Sequence, residues 1–152
     1  MSTYAVQANR IGARVQEHFG VAWVALCAAL AIHVADEAFT NFLSVYNPAV
    51  RTIRSHLPFI PLPTFSFPVW LVGLIAAVIV LFSLSPFAFR AARLMVPLSY
   101  VFGFLMMGNG LLHISSSIYM GRLMPGVYSA PLLLVCSLYL LTSVHNYRRK
   151  IR

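Results

Sequence analysis

Four apolar stretches, at about residues 21–46, 69–84, 94–119 and 127–147, take up most of this chain. Each runs long enough for a helix to cross a hydrocarbon core of roughly 30 Å, a distance that takes about 20 residues at the helical rise, the second when it is counted from Phe65. Composition agrees: 60% of the residues are hydrophobic and only 9% charged, with a mean hydropathy of +0.81, so water is not the main solvent. The expected fold class is an all-α integral membrane four-helix bundle forming a single membrane domain over residues 1–152. The first stretch is longer than a signal-peptide core and lacks a small-residue cleavage signal, so it reads as a retained helix.

Proline and glycine punctuate the chain. Ahead of the first crossing, Val6, Ile11, Val15 and Phe19 space out as a mildly amphipathic segment expected to lie along the membrane surface. Asn47-Pro48 is expected to end the first helix, because proline lacks a backbone donor and disfavours helical geometry in the residue before it. The Pro-rich loop 47–68 contains Leu57-Pro58-Phe59-Ile60-Pro61-Leu62-Pro63, apolar yet unable to form continuous helix, and reads as a lid over the bundle. Ser85-Pro86 closes the second helix and Gly121 to Gly126 forms the last turn. Gly103, Gly108 and Gly110 would let a neighbour approach the third helix. Trp23 and Trp70 near helix starts read as interfacial side chains.

Orientation follows from the basic residues. Four crossings put Arg10, Arg14, Arg90, Arg93, Arg148, Arg149, Lys150 and Arg152 on one side and only Arg51, Arg54 and Arg122 on the other. By the positive-inside rule both N- and C-termini are expected to be cytoplasmic, and the expected location is the bacterial inner (plasma) membrane. The net charge of +8 is accounted for by this topology; no interleaved basic and aromatic surface suggests nucleic acid. Cys27 and Cys136 have no metal-knuckle or disulfide spacing.

The chemistry is concentrated in a few residues. Of only three acidic residues, Asp36 and Glu37 are adjacent and deep inside the first apolar stretch. An acidic side chain at the bilayer centre costs at least about 2.5–3.5 kcal/mol, so it faces the bundle interior and has a partner. His33 and Glu37, at i and i+4, share a helical face, with Asp36 close to the same stripe. On the third helix Asn109 and His113 repeat the i, i+4 spacing, continued by Ser116 and Ser117. Both helices cross in the same direction, and these residues lie at similar depths from the helix starts. The expected site is therefore His33, Asp36, Glu37, Asn109 and His113.

With His33-Val34-Ala35-Asp36-Glu37 on the first helix, His113 on the third and Leu123-Met124-Pro125-Gly126 in the last turn, the chain resembles the HXXEE family of small four-helix membrane proteins. That family's pattern is His-x-x-Glu-Glu, a later histidine and a Tyr-x-Pro-Gly turn. Asp36 replaces the first Glu and Leu123 the Tyr, for whose hydroxyl Tyr119 or Tyr128 could substitute. The resemblance implies the four-helix architecture and a site at the shared residues.

Three readings compete with a merely structural hydrogen-bonded knot. As a metal centre, His33, Asp36, Glu37 and His113 would be the ligands of a single divalent ion, zinc or iron, with Asn109 behind them or as a carbonyl donor. As a metal-free acid/base site, a protonated carboxylic acid and a histidine would exchange protons with substrate. As a proton-linked transporter, the cluster would be a relay and a pore would require a homo-oligomer; no internal repeat and no polar stripe on the second or fourth helix supports this. A membrane-embedded enzyme acting on a membrane lipid or isoprenoid-like, apolar small molecule is favoured over a transporter or a non-enzymatic lipid-binding protein. No phosphate-binding loop, nucleophile elbow or dinucleotide fingerprint is present.

Overall fold

The structure of the protein, a computed structural model, describes residues 3–150, with side chains from Arg14 onward. The stripe expected through Val6 and Ile11, and the tail residues Ile151 and Arg152, lie outside what is described. Every regular element among the described residues is helical: α1 (Thr3–Phe39), α2 (Leu43–His56), α3 (Phe67–Ser83), α4 (Ser85–Phe89), α5 (Met95–Met120) and α6 (Ala130–Lys150). Four segments are long and apolar enough to cross a membrane: Arg14–Phe39, Phe67–Phe89, Met95–Met120 and Ala130–Lys150.

The first crossing departs from expectation at both ends. Upstream, α1 is unbroken from Thr3, so the head is continuous with the first candidate span instead of forming a separate segment ahead of it. Downstream, the helix stops at Phe39 and not at Asn47-Pro48. Asn41 adopts a left-handed conformation with φ 58, and the Phe42 amide donates back to the Glu37 carbonyl at 3.0 Å. This is a Schellman stop with asparagine in the place glycine usually takes. Pro48 instead lies inside α2; the carbonyl it leaves without an amide partner belongs to Ser44, an exposed residue, which lowers the cost.

The Pro-rich stretch is correspondingly shorter than expected, since α2 takes up residues 43–56 of it. What remains folds back on α2. The Asn47 side chain clamps Phe65 in both directions, its amide donating to the Phe65 carbonyl at 2.9 Å and its carbonyl oxygen accepting the Phe65 amide at 3.1 Å. The Tyr46 hydroxyl donates to the Pro63 carbonyl at 3.1 Å. At Pro86 the second crossing ends and restarts as the single turn α4, with proline in a first-turn position it tolerates. The final helix begins at Ala130, three residues later than expected, and carries Arg148, Arg149 and Lys150 in its last turn.

Packing sets the helices in the order α3, α1, α6, α5, with α4 also against α1. At the end of the bundle that carries the basic termini, Phe19, Trp23, Leu26, Met95, Leu140 and Val144 are fully buried. Trp23 is expected at an interface but sits in this core, where its indole donates to the Leu81 carbonyl at 3.0 Å and its ring meets Phe102 at 5.2 Å. Gly103 and Gly110 face α6: an added methyl group would come within 2.8 Å of Leu141 at the first and 2.9 Å of Leu134 at the second. Gly108 faces open space. The second crossing is an outrigger, with 6% of its most apolar window buried against 56% for the first.

Candidate metal centre

At the opposite end of the bundle the carboxyl-terminal turns of α1 meet α5 and the turn before α6. His33 is completely buried, and Glu37 and His113 are each 6% exposed. His113 Nε2 lies 3.1 Å from Glu37 Oε1 and His33 Nε2 3.7 Å from the same oxygen. The two imidazoles meet edge to face with centroids 4.8 Å apart. One ligand atom from each of the three residues falls within 4.8 Å of the others.

The partners of the rings fix their protons. His113 Nδ1 is 2.6 Å from the Pro125 carbonyl oxygen, which can only accept, so this nitrogen carries hydrogen. The Ser129 hydroxyl donates to Asp36 Oδ2 at 2.7 Å. Its oxygen then accepts from His33 Nδ1 at 2.8 Å. In their neutral forms both rings therefore present a lone pair at Nε2, beside the Glu37 carboxylate. His33 Nε2 is buried and has no hydrogen-bond partner. Buried polar atoms are normally satisfied; of the three exceptions among the described residues, the others being the hydroxyls of Ser85 and Ser99, this one lies beside two further groups able to ligate a metal. Rings whose far nitrogens are held by a carbonyl or a carboxylate-linked hydroxyl are what metal-ligating histidines require.

The other expected site residues are placed differently. Asp36 lies outside the three-ligand group: its Oδ2 accepts both the Ser129 hydroxyl and the Ser129 amide, the latter at 2.9 Å. A carboxylate at the start of α6 satisfies an unpaired amide and complements the helix dipole. Asn109 is half-buried and lines an open groove with Phe104, Leu105 and Leu112. Ser117 bonds the His113 carbonyl and the Met124 amide, at 2.9 and 3.0 Å, bracing the turn that follows. Tyr119 and Tyr128, expected stand-ins for a missing hydroxyl, are 89% and 67% exposed.

Where the Pro-rich loop was expected to cover the site, the roof is Pro125-Gly126. Gly126 has φ 82, and a methyl group on it would sit 2.7 Å from His113 and 3.1 Å from His33. Conformation and space both demand glycine here. Thr40 straps the roof down, accepting the Gly126 amide at 3.3 Å while donating to the Asp36 carbonyl at 2.6 Å. Phe42 closes one flank, its ring 5.7 Å from His113 and 6.0 Å from Trp70. Thr40, Phe42, the Pro125 carbonyl and Ser129 escape the sequence reading. Ser129 alone carries a signal, as a serine two residues before proline at the head of an apolar helix.

No curated protein and no solved structure matches the chain. Residues 23–140 do match the family described as "protein of unknown function with HXXEE motif", a span that includes both imidazoles, both carboxylates and the roof turn. In the motif His33-Val34-Ala35-Asp36-Glu37, the first and last residues supply ligand atoms and the fourth holds the serine behind the first, and the chain belongs to the HXXEE family.

Proposed function

We propose that the protein is a membrane-embedded metalloenzyme in which His33, Glu37 and His113 hold one divalent ion, zinc or iron, beside a lipid or isoprenoid-like substrate. The observation carrying this reading is the orphaned Nε2 of His33, pointing with His113 Nε2 at Glu37 while both Nδ1 atoms are committed elsewhere. Two imidazoles and one carboxylate are the protein ligands of open zinc sites and of non-haem iron sites alike. A bound ion would supply Lewis acidity at this position. The chain's own residues do the rest: Ser129 and the Pro125 carbonyl orient the rings, Gly126 excludes water from above, and Phe42 and Trp70 provide an apolar flank suited to a hydrocarbon chain. The distribution of Arg and Lys supports placing this site in the half of the membrane away from the cytoplasm.

One contact favours a metal-free alternative. At 3.1 Å, His113 Nε2 and Glu37 Oε1 can share a proton, as an acid/base pair would. That pair leaves His33 Nε2 without a role, so it ranks second.

The test is to incubate the metal-loaded protein with a total membrane-lipid extract and compare lipid species by mass spectrometry. A species consumed by the wild type and spared by Glu37→Gln is the expected result. An unchanged lipid profile with metal bound would reduce the protein to a metal-binding membrane protein.

A further inference from the structure

The basic end of the bundle holds a second feature that the metal centre does not use. Between α1 and α6 lies an open cleft of about 690 Å³, with Arg14 on one wall and Asn146, Arg149 and Lys150 on the other. It is continuous, through Arg14, His18 and Tyr139, with a smaller cleft of about 350 Å³ that reaches Glu17 and Val21. Arg14, Arg149 and Lys150 are exposed, and among the described residues none of them forms an ion pair; Glu17, the nearest acid by lining, forms none either. Arg14 precedes the apolar run that starts near Val21, and Arg149 and Lys150 follow the one that ends near Tyr147, so the cations flank the apolar spans, where headgroups lie. Below them the walls are Thr142 and Ser143 on α6 and His18 on α1, followed by Tyr139 and Val21.

Three cations with a hydrogen-bonding amide at the mouth, the hydroxyls of Thr142 and Ser143 beneath them, and Tyr139 and Val21 beyond match an ester-linked phosphate, then a glycerol, then the start of a hydrocarbon chain. Arginine is suited to phosphate oxygens because its donors form a fixed fork, and basic pockets between crossing helices are where anionic headgroups are bound. We infer that this cleft binds the phosphate of one anionic phospholipid, with its glycerol and the start of an acyl chain along Tyr139 and Val21. The site is separate from the metal centre, at the other end of α1, and does not depend on its occupancy.

Native mass spectrometry of the detergent-purified chain, titrated with phosphatidylglycerol, phosphatidylcholine or inorganic phosphate, tests this. The wild type is expected to retain one phosphatidylglycerol in preference to phosphatidylcholine. The triple variant Arg14→Gln/Arg149→Gln/Lys150→Gln is expected to bind it more weakly by at least about tenfold, since each basic group near a membrane surface contributes appreciably to anionic-lipid affinity. Arg51→Gln/Arg54→Gln, which removes the same kind of charge from α2, is expected to leave binding unchanged, and circular dichroism is expected to show all three proteins equally helical. Equal retention of the two lipids by the wild type, undiminished binding by the triple variant, or equal loss in the α2 variant overturns the inference. Displacement of the lipid by millimolar inorganic phosphate assigns the cleft to soluble phosphate and overturns the lipid assignment.

Discussion

Two stretches of α1, Phe19–Leu30 and His33–Glu37, bury their central side chains by opposite means. Trp23 and His33 both show no exposed surface. Trp23 meets the Phe102 ring and donates to the Leu81 carbonyl within a cluster of close-packed rings and aliphatic groups that includes Met95. Around His33 the neighbours are polar: a hydrogen bond to Ser129, the Glu37 carboxylate at 3.7 Å and the His113 ring edge to face. In a bilayer the first kind of burial is what holds helices together, because lipid is as apolar as leucine and only packing quality separates the two. The second kind imposes a cost that hydrogen bonds only partly offset, and the unpartnered His33 nitrogen adds to it. Natural chains keep such a cost where it serves a site. The comparison separates the molecule into an apolar half that stabilises and a polar half that carries the proposed metal centre, and substitutions in each can test the separation.

The largest expected effect is on the apolar side. Trp23→Ala opens a cavity at the α1, α3 and α5 contact and is expected to cost about 3–5 kcal/mol, read as a lowered midpoint of thermal unfolding in detergent. Metal retained per folded chain is expected to stay unchanged. Loss of metal at normal stability would break the division between halves. Gly126→Ala combines a positive φ with a methyl group pressed against both imidazoles, and about 1–3 kcal/mol of strain is expected to weaken metal binding by roughly tenfold or more. Isothermal titration of the apoprotein with zinc measures it.

Ser129→Ala removes the hydroxyl that orients His33 and anchors Asp36. Outer partners of metal-binding histidines typically contribute about 10–100-fold in affinity, and each lost hydrogen bond, to Asp36 and from His33, costs about 1 kcal/mol of stability. An unaltered zinc titration would mean that Ser129 does not position the ring. Asn109→Ala is the smallest change: on an open groove it is expected to shift stability by less than about 0.5 kcal/mol and to leave metal content as it is. A clear loss of metal there would return Asn109 to the site.

Much of this was legible in the residues. Adjacent Asp36 and Glu37 in an apolar run, with His33 one turn before, already require an interior-facing cluster, and equal depth on parallel helices brings His113 to it. What could not be read is where local stops and tertiary space override periodicity. Asn41 ends α1 through a left-handed conformation that glycine more often marks, so Pro48 drew the boundary instead. Ser129 falls inside helix four if that helix starts at Val127, and sits just ahead of it, bonded to Asp36 and His33, only when it starts at Ala130. Asp36 and Asn109 look like their neighbours in sequence spacing. They are separated by roughly 100° per residue of helical rotation, which points one carboxylate at α6 and lets the amide fall beside a surface groove. The roof could be inferred only from a glycine in a Pro-Gly turn, since the imidazoles beneath it are far away in sequence.

The most direct measurement is elemental analysis of protein purified in detergent without added chelator, beside His113→Ala and the double variant His33→Ala/Glu37→Ala, all shown to be folded by circular dichroism. A three-ligand centre requires close to one zinc or iron per wild-type chain and a near-complete loss in both variants. Folded wild-type protein that carries no more metal than the variants, before or after incubation with either ion, would contradict it and leave the proton-sharing pair of Glu37 and His113.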